Sequence, residues 1–221
     1  MFHCRVLVPL LLSTALLPLD THAAASLLVD DAGITDAGHC QLESWVRHTK
    51  AGLHGTAVPA CTLAGTEWSL GLNRAPATPG IAWAAGAKRV LIAQDQRRWG
   101  LALSAGLGGS RHLPGTDWNL NVPLTLGLDA QDRVQLHLNL GLARENGIGG
   151  HTDGIGLQIA LQGRWSLLAE VAHYAARDRG MQVGLRRVLW PGASLDLFGG
   201  RQRSSGQGHW VTLGFNIAAP P

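Results

Sequence analysis

Few side chains in this sequence have types and spacing suited to chemistry, and they are scattered. Ser104, Ser110, Ser204 and Ser205 are candidate nucleophiles, with His112, His173 or His209 as candidate bases. A serine hydrolase of the elbow type needs Gly-X-Ser-X-Gly, which lifts the hydroxyl out of a strained turn. That motif is absent, and no rim-hydrolase signature replaces it. The expectation is therefore no catalytic residue and no enzyme, with these groups as polar loop or interface residues. His151 with Asp153, or His112 nearby, offers too few ligands for a metal. Asp30, Asp31 and Asp36 do not have the spacing of a calcium loop. They read instead as an exposed acidic N-terminal segment or a small lumen plug. The run from Asn146 to Gly156, NGIGGHTDGIG, superficially resembles a phosphate-cradling loop. It lacks the Lys such a loop needs and leads into a strand, so it reads as a flexible surface loop. No cofactor and no metal are expected.

The elements that carry these residues begin with an export signal. Arg5 precedes an apolar core, Val6 to Leu17, and small residues follow at Ala23 to Ala25. This is the layout of a cleaved secretory signal peptide over 1–25, with cleavage after Ala23 or Ala25 equally suited. The apolar core is too short to span a bilayer as a helix, which takes ~20 residues. Of three cysteines, Cys4 falls in the signal, leaving Cys40 and Cys61. In an exported chain such a pair suggests a disulfide, with free or metal-binding thiols as the alternative.

Composition narrows the class. Charged residues are only 15% of the chain, against ~25% in soluble domains. Apolar content is ordinary at 46%, and the net charge of +3 is dispersed, with no basic run to suggest nucleic acid. A chain short of charge but not of apolar residues suits a lipid-facing surface. The mature segments are too interrupted for a spanning helix, so membrane entry requires a closed sheet.

Period-2 alternation runs from residue 40 onward. In Arg133 to Ala143, Val134, Leu136, Leu138, Leu140 and Leu142 alternate with Gln135, His137, Asn139 and Gly141. Twelve strands are expected near 40–47, 56–63, 66–73, 80–91, 98–107, 118–128, 133–143, 153–162, 165–175, 180–189, 193–201 and 209–217. Most have the length a tilted strand needs to cross a bilayer, ~9–11 residues. The connections look alternately short, as at Ala64-Gly65, and long, as at 108–117 and 144–152. That pattern puts both termini on the periplasmic side of an outer membrane. Cys40 and Cys61 then face each other on neighbouring strands, and a disulfide between them is expected. Trp68, Trp83, Trp99, Trp118, Trp165 and Trp210 fall near strand ends, as in an interfacial aromatic belt.

The expected fold is thus an all-β, antiparallel transmembrane barrel over 40–217. A periplasmic N-terminal segment, 26–39, precedes it and a tail, 218–221, follows. With leucines outward, the lumen receives Glu43, Glu67, Lys88, Gln135, His137, Asn139, Gln158, Glu170, Gln182 and Arg186, together with Gln162 and Asp196. Twelve strands leave room for a narrow pore.

The stretch Leu28-Val29-Asp30-Asp31-Ala32-Gly33 followed by Gly38-His39-Cys40-Gln41-Leu42-Glu43 resembles the start of a family of bacterial outer-membrane putative transporters related to the meta-pathway phenol-degradation barrels. Gly86-Ala87-Lys88 and the closing strand Trp210 to Phe215 are also similar. The chain departs from many outer-membrane proteins in ending on Ala218-Ala219-Pro220-Pro221 rather than an aromatic residue. The resemblance implies an outer-membrane barrel that passes hydrophobic or aromatic compounds. The expected function is a narrow channel or transporter for small molecules. Its expected partners are outer-membrane lipid, the barrel-assembly machinery and a small-molecule solute. The alternatives are a structural barrel with a side-chain-filled lumen, a lipid-modifying barrel enzyme and a soluble periplasmic β-sandwich.

Overall fold

A computed structural model describes residues 26–76, 80–95, 97–110, 113–145, 147–175, 178–203 and 208–218. The signal segment 1–25, Asn146, His112, Ser204, Ser205 and residues 219–221 of the tail lie outside the described residues. Twelve strands follow in chain order: β1 (Cys40–Thr49), β2 (Gly52–Leu63), β3 (Thr66–Arg74), β4 (Ala82–Ile92), β5 (Trp99–Ser110), β6 (Leu113–Gly127), β7 (Val134–Glu145), β8 (Ile148–Ala160), β9 (Trp165–His173), β10 (Arg179–Trp190), β11 (Ala193–Gln202) and β12 (His209–Ala218). Each pairs antiparallel with its chain neighbours, and β1 pairs with β12 from Gln41–Ala218 to His48–Val211. The sheet is a closed barrel with no edge, which satisfies every ladder without water.

Alternation decides the two surfaces. Leu140 (69% exposed), Ile155, Leu213 and their companions cover the outside. In a soluble protein such a continuous apolar exterior is unfavourable; against lipid it is the stable arrangement. Trp68, Trp99, Trp165 and Trp190 stand outward at the end where β1 begins, and Trp83 and Trp118 stand outward at the other end. The first end is called the terminal end below, because Cys40 and Ala218 both lie there, and the second the distal end.

Two expectations are corrected at the distal end. The loops expected over 108–117 and 144–152 are mostly strand: β5 and β6 extend to Ser110 and Leu113, and β7 and β8 to Glu145 and Ile148. Short connections therefore occur at both ends, so loop length does not distinguish them. Strand pairing continues because Gly149 and Gly150, pairing with Arg144 and Ala143, carry no side chain that would splay the hairpin. Gln162, expected in the lumen, belongs to the turn between β8 and β9 and is exposed. At the terminal end, turns pass through the left-handed region at Ala64-Gly65 and Gly163-Arg164, where glycine lowers the cost of positive φ.

The disulfide joins Cys40 to Cys61, which are direct register partners on β1 and β2. It lies on the outward-facing side of that hairpin, next to Leu42 and Leu63.

Candidate functional site: the lumen and its strap

Strand parity sends Glu43, Glu67, Lys88, Gln135, His137, Asn139, Gln158, Glu170, Gln182, Arg186 and Asp196 to one face, opposite the exposed leucines. That face is not open space. Residues 26–38, expected as a periplasmic segment or a small plug, run through the barrel as an extended strap. The physical reason is hydrogen bonding. A strap with no ladder partner must satisfy its peptide groups with side chains, and the lumen face supplies them.

Glu170 accepts the N–H groups of Leu28 (3.1 Å) and Val29 (3.3 Å). Asn139 accepts the Asp30 N–H at 2.8 Å and donates to the Asp30 carbonyl at 2.7 Å, imitating a strand neighbour. Thr125 accepts from the Ala32 N–H at 2.9 Å and also meets His137 Nδ1 at 3.0 Å. Glu67 accepts from both the N–H (2.8 Å) and the hydroxyl (2.6 Å) of Thr35. Gln182 donates to the Ser26 carbonyl (2.9 Å) and to Glu170 (2.6 Å). The Ser26 hydroxyl donates to Asp196 at 2.9 Å. The strap leaves at the terminal end, where Gly38 N–H donates to the Thr62 carbonyl and leads into β1.

Charge reinforces the seating. Lys88 Nζ lies 2.7 Å from Asp30 and 3.6 Å from Asp31, so the acidic pair is opposed by a lysine reaching across the lumen. Deeper in the wall, Arg186 grips Asp196 through two parallel bonds of 2.7 and 2.8 Å. Asp196 is 0% exposed. An ion pair removed this far from water holds only with such bidentate geometry.

Packing fixes the strap between glycines. Val29 is 1% exposed. A Cβ on Gly154 would come within 2.9 Å of its Cγ2, and one on Gly156 within 3.3 Å of its Cβ. The glycine-rich run at 146–156, read from sequence as a loop, is therefore largely strand β8, with two of its glycines forming the Val29 seat.

The lumen is asymmetric. On β1 and β9–β12 it is filled by residues absent from the expected lumen set: Trp45, Leu168, Phe198 and Trp210 all share parity with polar lumen residues. Trp210, expected in the outer aromatic belt, is 3% exposed and inside. Its indole N–H donates to Gln182 at 3.4 Å, and Arg47 stacks over it at 4.9 Å. The ring fits there because Gly200 has no side chain; a Cβ would meet the indole at 2.3 Å. The parity of Trp210 with Thr212, Gly214 and Asn216 was the available signal. On the opposite side, between the strap and the wall formed by β1–β6, a cavity of about 310 Å³ remains. Glu43, Glu67, Ser69, Ser104, Asn119 and Gly86 are among its lining.

Among the described residues, Ser104 is not brought to a candidate histidine. Ser104 faces the lumen, paired with Lys88 and Asn121. His173 and His209 point outward from β9 and β12, several strands around the barrel. His173 Nδ1 is instead 2.7 Å from Asp153. Among the described residues, no three side chains of the metal-ligating types cluster.

Residues 11–219 match the model of a family described as uncharacterised conserved protein UCP029691. No curated protein matches the chain. Solved structures share the fold. The KdgM porin superposes with a TM-score of 0.66 at 9% identity, over 80% of this chain and 98% of that one. The COG4313 outer membrane channel from Pseudomonas putida F1 gives 0.62 at 11% identity, over 86% and 98%. The outer membrane protein Omp33 of Acinetobacter baumannii gives 0.56 at 9% identity, over 81% and 97%.

Proposed function

The chain belongs to that uncharacterised family, and from its lumen we propose that it is a narrow outer-membrane channel for small polar solutes. One observation carries the reading: a partly polar cavity persists beside the strap, opposite the side of the lumen occupied by Leu168, Phe198 and Trp210. Structures of the same fold support it, since they include porins, one of them solved with oligogalacturonate. In this reading the exposed apolar belt faces lipid, residues 1–25 direct export and are cleaved, and the assembly machinery inserts the barrel with the terminal end in the periplasm. The resemblance to phenol-degradation barrels implies aromatic or hydrophobic solutes. Glu43, Glu67, Ser69, Ser104 and Asn119, set among glycines, alanines and Val58 in the lining, favour polar ones, because an apolar solute leaves those groups without partners.

Reconstitution into planar bilayers tests this. Small, discrete conductance steps are the expected outcome. A second reading, a structural barrel, is favoured by the strap and by the inward Trp45, Phe198 and Trp210. It gains the case if both the intact protein and a variant lacking residues 26–38 insert and pass no current.

A further inference from the structure

The outer wall near the distal end departs from the uniform leucine belt. Across β8–β12 the register stacks three tiers. Nearest the distal end, Asp153, His173 and Arg179 are direct neighbours. Next come Val171, Met181, Arg201 and His209. Below them run Leu157, Ala169, Val183, Gly199 and Val211. Neighbouring strands are ~4.8 Å apart, so side chains within a tier lie side by side.

The third tier is shallow. Ala169 and Gly199 flank Val183, and together with Ile155, Leu157, Val171 and Met181 they line an external groove of about 670 Å³. A Cβ on Gly199 would meet nothing within 4 Å. Packing therefore gives no reason for a glycine there, and its effect is to keep the groove open. Above the recess stand three exposed basic side chains, Arg179, Arg201 and His209. Arg201 is steadied by its Nε–H donating to Met181 Sδ at 3.2 Å. Asp153 also lines the groove, on β8, two strands from Arg179, and is engaged by His173 at 2.7 Å.

We propose that this groove binds one anionic phospholipid, its acyl chain lying over Ala169, Val183 and Gly199 and its phosphate between Arg179, Arg201 and His209. The inference rests on the membrane placement proposed above. Charge complementarity selects the occupant. An apolar slot alone would accept any acyl chain, whereas arginines at the rim above it select an anionic headgroup at the height where headgroups lie.

The test is native mass spectrometry of the full barrel in detergent, mixed with dimyristoylphosphatidylglycerol or dimyristoylphosphatidylcholine. One phosphatidylglycerol should be retained at about thirtyfold lower lipid concentration than phosphatidylcholine, whose choline cation cancels the charge of the same phosphate, as expected for two arginines facing an anionic headgroup. Arg179→Gln with Arg201→Gln should bring the two lipids to parity. Gly199→Phe should reduce retention of both, without strain, because its Cβ enters open space. Arg144→Gln, an outward arginine at the same end but away from the groove, should change nothing. Equal retention of the two lipids by the unaltered protein overturns the proposal. So does a preference that survives the double substitution, or that Arg144→Gln reduces as much. Inorganic phosphate alone should not compete; if it does, the headgroup site is a free-anion site and the lipid assignment fails. Conductance is read separately. A conducting barrel with no lipid preference keeps the channel and loses the groove, and a barrel that holds lipid but passes no current does the reverse.

Discussion

Individual lumen residues differ sharply in what their loss should do. Asp196 accepts from Arg186 twice, from Ser26 and from Asn216, and is shielded from solvent. Asp196→Ala strands a buried guanidinium. It should cost about 3–5 kcal/mol, read as a lower temperature for conversion from the compact to the unfolded band on a denaturing gel. Lys88 has a different task. It opposes Asp30 and Asp31, which belong to the strap rather than the wall. Lys88→Met leaves two like charges facing each other and should loosen the strap while the barrel persists. The expected outcome is higher conductance and faster proteolysis within 26–38 at a nearly unchanged conversion temperature, with Lys88→Arg close to the unaltered protein.

At the scale of elements, the strap is the part that should govern permeability. Val29 and Gly156 are close enough to be tied: a Cβ on Gly156 would lie 3.3 Å from that of Val29. The double variant Val29→Cys, Gly156→Cys should form a disulfide under oxidation, hold the strap and lower conductance, with recovery on adding reductant. If reductant changes nothing, the strap does not limit flow. The native bridge acts elsewhere, on the β1–β2 hairpin. Replacing Cys40 and Cys61 by Ser should leave the barrel closed and cost at most about 3 kcal/mol by loop entropy. The strands were legible in the sequence because each alternates between an apolar outer face and a lumen face, a demand that period 2 records directly. Their distal ends were not, because polar and glycine-rich pairs such as Ala143–Gly150 read as loop yet continue the ladder. Nor was the course of the strap legible. Nothing local in residues 26–38 specifies Glu170 or Asn139 as partners, which become neighbours only on barrel closure. Trp210 faces inward with Thr212 and Asn216, whose parity it shares, although its aromatic type and its place near a strand end suit an outer belt.

For the whole molecule, closure is the dominant fact. Unfolding has no edge at which to begin, so the protein extracted from membranes should shift in gel mobility only on boiling. Absence of a shift, with the protein in the soluble fraction, counts against the lipid-facing exterior. The strap also carries a kinetic consequence. Its Ser26 hydroxyl bonds to a carboxylate 170 residues later in the chain, and its other partners are spread over β3, β4, β6, β7, β9 and β10. These are among the most non-local contacts the chain can make, and a high contact order slows folding. Residues 26–38, which precede every strand in the chain, are thus among the last to find their place. Under the proposed function, until they do the assembling protein is a wider hole than the finished one, and slow seating of the strap exposes the cell to its own half-built pore.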